Sequence, residues 1–198
     1  MFKKLESPLF LKNAAIVTVD TFTVYQMNIA DDCVRKCNAK DIYYYRGLFY
    51  DIYTQLTEMH KLNIVHGDVK PANILEFDKF FTLCDFDFCG PPSNVFRICN
   101  DRDNYDSVKY FVTIGAVDGK NFGHTKRGDL YSLIMVFFMM LCDCNAYIKE
   151  LNEVQYSGDI YASVKELILI RTRYIETQLL PLQIKEVNEL YSKLEGIV

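Results

Sequence analysis

The feature that most constrains the fold is the run from Leu130 to Cys142, in which nearly every side chain is apolar. A helix that is apolar on all sides is stable only where it is buried. The run is too short to cross a bilayer, which takes about 20 residues. It therefore predicts the central helix of a folded domain, and Asp129, directly before it, is a candidate N-cap.

Length and composition favour a single domain with a substantial core. The chain has 198 residues, of which 50% are hydrophobic and 24% are charged, a balance that excludes wholesale disorder. Lysine and arginine number 22 against 26 aspartate and glutamate, which gives a net charge of −4. General binding to nucleic acid through a basic surface is therefore not expected. A membrane partner is not expected either, because no apolar run reaches spanning length.

The cysteines indicate a reducing compartment. There are 7, an odd number scattered along the chain, and the N-terminal sequence MFKKLESPLF lacks the apolar core and cleavage site of a signal peptide. We therefore expect a cytoplasmic protein. Zinc binding stays open as the alternative to burial as small hydrophobic side chains. The close pairs that would take part are Cys33 with Cys37, Cys84 with Cys89, and Cys142 with Cys144.

The first half of the chain shows strand and helix patterns in turn. Two β-branched runs, Ile16 to Val19 and Phe22 to Met27, are separated by two polar residues and predict a β-hairpin. A polar connector follows. Apolar side chains at helical spacing then predict a long amphipathic helix over residues 41–60, with Asn38 or Asp41 as its N-cap.

The rest of the chain is expected to be mostly helical. A second hairpin is predicted where Asn73 to Phe77 and Phe80 to Cys84 flank a turn. The segment from Gly90 to Gly128 is rich in Gly, Pro, Asn and Asp and predicts a long loop, which is usually functional or mobile. Beyond the central helix, two more helices are expected at about residues 160–177 and 182–194. The fold class is therefore α+β and mainly helical.

The residues that could carry chemistry lie around the second hairpin. Asp68, Lys70 and Asn73 come before its first strand, and Asp85 and Asp87 follow its second strand. Carboxylate and carboxamide oxygens are the ligands that Mg²⁺ takes in phosphate chemistry, and a lysine beside them can neutralise a phosphoryl group in transfer. Each residue alone is typical of a turn or a cap, whereas the order and spacing of the whole set indicate a phosphate site.

Three motifs give these residues a family context. HGDVKPANIL, residues 66–75, resembles the catalytic loop of eukaryotic-type protein kinases. CDFDFCG, residues 84–90, resembles the metal-binding segment that follows that loop in the family. GDLYSL, residues 128–133, is similar to the start of the buried central helix of the kinase large lobe. The resemblance implies a kinase-like large lobe over residues 31–198, preceded by a tail and hairpin, residues 1–30, as a remnant of the small lobe.

The resemblance also implies a role for each polar residue of the cluster. Asp68 would be the catalytic base that orients the acceptor hydroxyl. Lys70 would be catalytic as well and would contact the γ-phosphate of ATP. Asn73 and Asp85 would ligate Mg²⁺ and thereby help to bind ATP.

Three further residues would be structural in this family. His66 and Phe86 would be packing elements of the site, and Asp129 would hold the backbone of the catalytic loop. Asp129 should then be buried, with its carboxylate accepting backbone donors. The helix predicted over residues 41–60 would be the one that leads into the catalytic loop.

The sequence also departs from the family. Nothing before position 14 matches a glycine-rich phosphate loop, the strand lysine that grips the nucleotide, or its glutamate partner. Gly67 stands where the family usually has arginine, so control by a phosphorylated loop paired to that arginine is not expected. Asp87 stands where the metal-binding triplet usually has glycine. Each lost charge-assisted hydrogen bond costs roughly 1.5–3 kcal/mol, so the isolated chain is expected to bind Mg²⁺ and ATP only weakly.

These features favour a binding module over an autonomous enzyme. The first interpretation is a truncated kinase-like protein that docks on and regulates or inhibits another kinase or its substrate, as truncated kinase mimics encoded by viruses do. The alternative is a minimal or partner-complemented Ser/Thr protein kinase that transfers the γ-phosphate of ATP to protein. A third interpretation is an interaction protein whose motifs are relics.

The expected partner is another protein, most directly a kinase, that contacts the N-terminal hairpin. A two-stranded hairpin is marginal on its own in water, and unpaired strand edges are where chains pair with other chains. Self-association through the same hairpin is the related expectation. For a viral source the compartment would be the host cytoplasm.

Overall fold

The computed structural model describes residues 15–19, 22–26, 30–34, 42–78, 80–92, 115–117, 121–123, 125–154 and 160–194. Helices account for most of these residues. The helices are α1 (Ile42–Lys61), α2 (Lys126–Leu141), α3 (Asn145–Glu153), α4 (Ile160–Tyr174) and α5 (Lys185–Lys193). No helix in these ranges is both long and apolar enough to span a membrane.

The strands in the described ranges form three separate antiparallel sheets. The first sheet pairs β1 with β2, the second has the order β3-β4-β5, and the third pairs β6 with β7. The strand bounds are β1 (Ala15–Val19), β2 (Phe22–Gln26), β3 (Asp32–Cys33), β4 (Ile74–Phe77), β5 (Phe80–Leu83), β6 (Gly115–Val117) and β7 (Asn121–Gly123).

Both predicted hairpins are confirmed. In the first, Ala15 lies opposite Gln26 and Val19 opposite Phe22; in the second, Ile74 lies opposite Leu83. Strand β3 lies within the segment expected to be a connector. The local sequence does not predict it, because its two residues form a strand only by pairing with β4. The proposed boundary between residues 1–30 and 31–198 stays a prediction, since residues 1–14 lie outside the described ranges.

The segment from Gly90 to Gly128, expected to be one long loop, contains a short pair of strands. Strands β6 and β7 interrupt it, and each has three residues, too few for an alternating pattern to be recognised. Residues 93–114 lie outside the described part of the chain.

Helix α1 confirms the long amphipathic helix. Its buried side chains recur at helical spacing and include Leu48, Ile52, Leu56 and Met59, all 0% exposed. Asn38 and Asp41, the candidate N-caps, lie outside the described residues. The face that α1 buries contacts both β5 and the central helix.

Helix α2 is the buried central helix that the apolar run predicts, but it begins earlier. Leu133, Phe137 and Phe138 are each 0–1% exposed. The N-cap is Thr125, whose hydroxyl accepts a hydrogen bond from the Gly128 amide at 2.9 Å. The prediction that Asp129 is the N-cap is therefore wrong, because Asp129 lies inside the first turn and its carboxylate is bonded elsewhere.

The C-terminal part contains one helix more than predicted. The sequence does not predict helix α3, since only Tyr147 and Leu151 of its nine residues are buried and they give a weak pattern. Helix α4 continues into a π-helical turn, Ile175–Leu179, and a 3₁₀ turn, Leu180–Leu182. Helix α5 then begins at Lys185 rather than near residue 182.

Side chains of α1 close the outer edge of β5. The side-chain amide of Gln55 donates from Nε2 to the Phe81 carbonyl at 2.7 Å, and its Oε1 accepts from the Leu83 amide at 3.0 Å. Asp51 Oδ2 accepts from the Phe81 amide at 2.8 Å, although burial raises the pKa of this carboxyl. Helix and hairpin are thereby fixed together, and residues 62–73 run between them.

Candidate active site

The carboxylate of Asp129 holds the start of the loop that precedes β4. This side chain is 1% exposed. Oδ2 accepts from the His66 amide at 2.8 Å, and Oδ1 accepts from the Gly67 amide at 2.9 Å. The burial and the backbone donors expected for Asp129 are both present.

His60 is a further partner of Asp129 that the sequence does not predict. Its Nε2 lies 2.9 Å from Asp129 Oδ2, and its side chain is 11% exposed. His60 belongs to the last turn of α1, so the carboxylate joins α1, α2 and the loop at one point. Nothing in the spacing of a single sequence indicates a contact between residues 69 positions apart.

Gly67 adopts a conformation that suits glycine. Its φ is 81°, in the left-handed region that side chains with a Cβ rarely enter. This turn directs the consecutive amides of His66 and Gly67 to the two oxygens of one carboxylate. Glycine at position 67, in place of the arginine that the resemblance implies, is therefore compatible with the loop geometry.

The ring of His66 joins the loop to the end of β5. It is 0% exposed, its Nδ1 accepts from the Asp68 amide at 3.2 Å, and its Nε2 lies 3.1 Å from the Cys84 carbonyl. A neutral ring with the proton on Nε2 satisfies both contacts. Burial lowers the pKa of His66 below its ordinary 6.5, although the carboxylate of Asp129 acts in the opposite direction. The ring also packs against that of Phe86 at 5.3 Å between centroids.

Asp68, Lys70 and Asn73 meet at one oxygen atom. Lys70 Nζ donates to Asp68 Oδ2 at 2.7 Å, and Asn73 Nδ2 donates to the same oxygen at 2.8 Å. Asn73 Nδ2 also donates to the Asp68 carbonyl at 2.9 Å, and Asn73 is 5% exposed. The structure therefore brings together three of the residues that the motif singled out.

Asp85 lies at the same end of the hairpin as Asn73. The Cys84 amide donates to the Asn73 carbonyl at 2.9 Å, and Asp85 follows directly. Asp85 has a φ of 59° and is exposed, as is Asp87. After this turn, Gly90 pairs with Val65 through two backbone hydrogen bonds, which holds the segment beside the loop.

The donor chemistry of this end fits a hard divalent cation. Because the amide nitrogen of Asn73 is committed to Asp68, its oxygen faces away from Asp68 and can serve as a ligand. The exposed carboxylate of Asp85 supplies the second kind of oxygen that Mg²⁺ takes. These are two protein ligands, one of them an asparagine, and across the described ranges no group of three or more His, Cys, Asp or Glu side chains is placed to hold a metal ion.

Comparison with known proteins gives consistent matches. The family model described as protein kinase domain matches residues 17–194. The Aurora kinase of Saccharomyces cerevisiae is 30% identical over 111 residues, which cover 54% of this chain and 28% of that protein. A protein of Acanthamoeba polyphaga mimivirus, named as a serine/threonine-protein kinase, is 30% identical over 111 residues, which cover 50% of this chain and 35% of that protein.

A solved structure is similar to this chain as well. The structure of the Cydia pomonella granulovirus kinase PK-1 has 17% sequence identity and a TM-score of 0.46, covering 75% of this chain and 57% of that chain. The chain spans between 14% and 35% of the lengths of the curated relatives that it matches.

Replacing Asp129 should destabilise the protein. Asp129→Ala leaves the buried amides of His66 and Gly67 without their acceptor, and each unsatisfied donor costs about 1–3 kcal/mol. We expect the free energy of unfolding in urea to fall by at least about 2 kcal/mol. The control is Glu189→Ala on the exposed side of α5, which should change it by less than about 0.5 kcal/mol. Equal stability of the two variants would contradict the anchoring role.

Stability should fall when the solution becomes acidic. Because the pKa of His66 is lowered in the folded state, the unfolded state binds the proton more readily. The stability that the neutral ring contributes is therefore fully present above pH 6.5 and is lost progressively below it. His66→Phe keeps the ring packing but cannot titrate, so its free energy of unfolding should decline less between about pH 7.5 and about pH 5. Identical pH dependence in both proteins would refute this account.

Proposed function

The chain belongs to the protein kinase family, and on that premise we propose that its candidate site transfers the γ-phosphoryl group of ATP to a hydroxyl group of a protein. The fold is the helix-rich α+β fold of that family. The observation that supports the proposal best is the bonded set of Asp68, Lys70 and Asn73. A relic site would not need a lysine and an amide directed to the same carboxylate oxygen.

Asp68 is the proposed catalytic base. Both donors meet at Oδ2, which leaves Oδ1 as the atom that can orient an acceptor hydroxyl and receive its proton. The side chain is 17% exposed, so a substrate can reach it. His66 helps to hold the backbone of Asp68 in place, because its Nδ1 accepts from the Asp68 amide.

Lys70 is proposed to contact the transferred phosphoryl group. Its ammonium group lies 2.7 Å from Asp68 Oδ2, and its side chain is 28% exposed. A positive charge at this place would offset the negative charge of the phosphate oxygens beside the base. The same ammonium group keeps Asp68 in one orientation before substrate arrives.

Asn73 and Asp85 are the residues that would hold Mg²⁺. When bound together with ATP, the ion neutralises phosphate charge. The chain itself contributes the fixed orientation of the Asn73 amide and the exposed carboxylate of Asp85. Since the 198-residue sequence contains no glycine-rich phosphate loop, we propose that this chain alone binds Mg²⁺ and ATP weakly.

Calorimetry and phosphate transfer together test the catalytic proposal. We expect wild-type protein to bind ATP in the presence of Mg²⁺ and to label casein with radioactive phosphate. Asp68→Asn should retain binding and lose about 10²–10⁴-fold in transfer rate, whereas Asp85→Asn should weaken binding. The control is Asp143→Asn, an exposed aspartate before α3, which should change neither quantity. Binding without transfer, or no binding at about 1 mM ATP, would refute catalysis by this chain.

A second candidate function is a binding module that docks on another protein kinase or its substrate and regulates or inhibits it. What favours it is the hairpin β1-β2, which forms a sheet of its own that does not join β3-β4-β5 within the described residues. A hairpin without further strands is only marginally stable. We propose that residues 14–30 add their strands to the sheet of a partner, either a kinase or a second copy of this chain.

Two lysines on the second strand test this module. Phe22→Lys combined with Val24→Lys places charges on one side of β2, so a complex formed through the hairpin should be lost. Light scattering reports the mass of the protein alone, and pull-down with purified kinases reports the partner. The control pair is Thr23→Lys with Tyr25→Lys on the other side. A wild-type protein that is monomeric, and whose kinase partners bind the double variant equally well, would contradict the hairpin interface.

A cytoplasmic location is part of the proposal. The cysteines in the described ranges are free thiols, which suits a reducing compartment.

A further inference from the structure

A groove of about 470 Å³ lies between α3 and α4. One wall comes from the end of α3, including Glu150, Glu153 and the adjoining Val154. The other wall is a stripe of α4 formed by residues 166, 169, 170 and 173. This spacing puts the four side chains on one face of the helix. No residue of the groove belongs to the candidate active site.

The floor of the groove is apolar and partly accessible. Val154 and Ile170 are 6% and 8% exposed, so they are anchored in the core. Leu169 beside them is 49% exposed, so it offers apolar surface that a ligand can cover. The volume is within the range of pockets that take a few side chains of a ligand.

The rim of the groove is acidic. Three glutamates and one arginine line it, which gives a net charge of −2. Arg173 pairs with Glu150 across one end and lowers the pKa of that carboxyl. Glu153 and Glu166, both exposed, are therefore the carboxylates available to a cationic ligand.

We propose that this groove binds a short basic segment of a partner protein. An apolar side chain of the segment packs on Leu169 and Ile170, and arginine or lysine side chains on either side pair with Glu153 and Glu166. Arginine suits these positions best, because its guanidinium forms two parallel hydrogen bonds with one carboxylate. The groove is thus a docking surface separate from the proposed site of phosphoryl transfer and does not depend on it.

Fluorescence anisotropy with two labelled peptides tests the proposal. The probe is Ser-Arg-Leu-Leu-Arg-Ser, and the comparison peptide carries glutamate in place of both arginines. Wild-type protein should bind the arginine peptide at least about tenfold more tightly than the glutamate peptide, and added salt should weaken that binding. No binding of the arginine peptide at about 1 mM, or equal binding of both, would overturn the proposal.

Charge reversal localises the effect. Glu153→Lys combined with Glu166→Lys should weaken the arginine peptide about tenfold and improve binding of the glutamate peptide. Leu169→Ser should weaken the arginine peptide without changing its salt dependence. The matched control is Glu189→Lys on α5, an exposed glutamate outside the groove, which should have no effect. Circular dichroism confirms that each variant is folded, and unchanged binding by the folded groove variants would place the peptide elsewhere.

Discussion

One buried carboxylate determines where the candidate site lies. A charge inside an apolar helix would be costly by itself, and Asp129 is tolerable there because two backbone amides and His60 meet it. The geometry at His66 and Gly67 is therefore imposed by the core rather than by the loop. Asp68 directly follows these two residues, so a displacement of α2 would also displace Asp68. The site is therefore held in place by the packing of the core.

The neutral ring of His66 extends this connection to the other side of the site. Its Nδ1 accepts from the Asp68 amide, and its Nε2 contacts the Cys84 carbonyl. Nδ1 must therefore be without a proton, whereas Nε2 must carry one. Since Asp85 follows Cys84, the base and the proposed metal ligand are positioned by the same imidazole. Protonation would turn Nδ1 from an acceptor into a donor, and the hydrogen bond from the Asp68 amide would be lost.

The sequence predicts the local elements of this architecture better than their contacts. The apolar run identifies α2, and turn residues between apolar runs identify the β4-β5 hairpin, because both signals lie within a few adjacent residues. Asp129 shows the limit, since an aspartate before an apolar run is ordinarily a cap, whereas here Thr125 caps the helix. Strand β3 and the His60 contact escaped prediction because each depends on a segment far away in sequence. For the polar cluster, the motif order identified the residues but not the shared oxygen of Asp68.

The closure of β5 by α1 has a consequence for how the protein avoids aggregation. Gln55 and Asp51 occupy the positions that the backbone of a fourth strand would take, so an incoming chain would have to displace two helix side chains before it could pair. The opposite edge, β3, is two residues long and begins with an aspartate, which gives a foreign strand little to extend. The sheet beneath the site is therefore terminated on both sides, and its width is fixed by side chains of a helix.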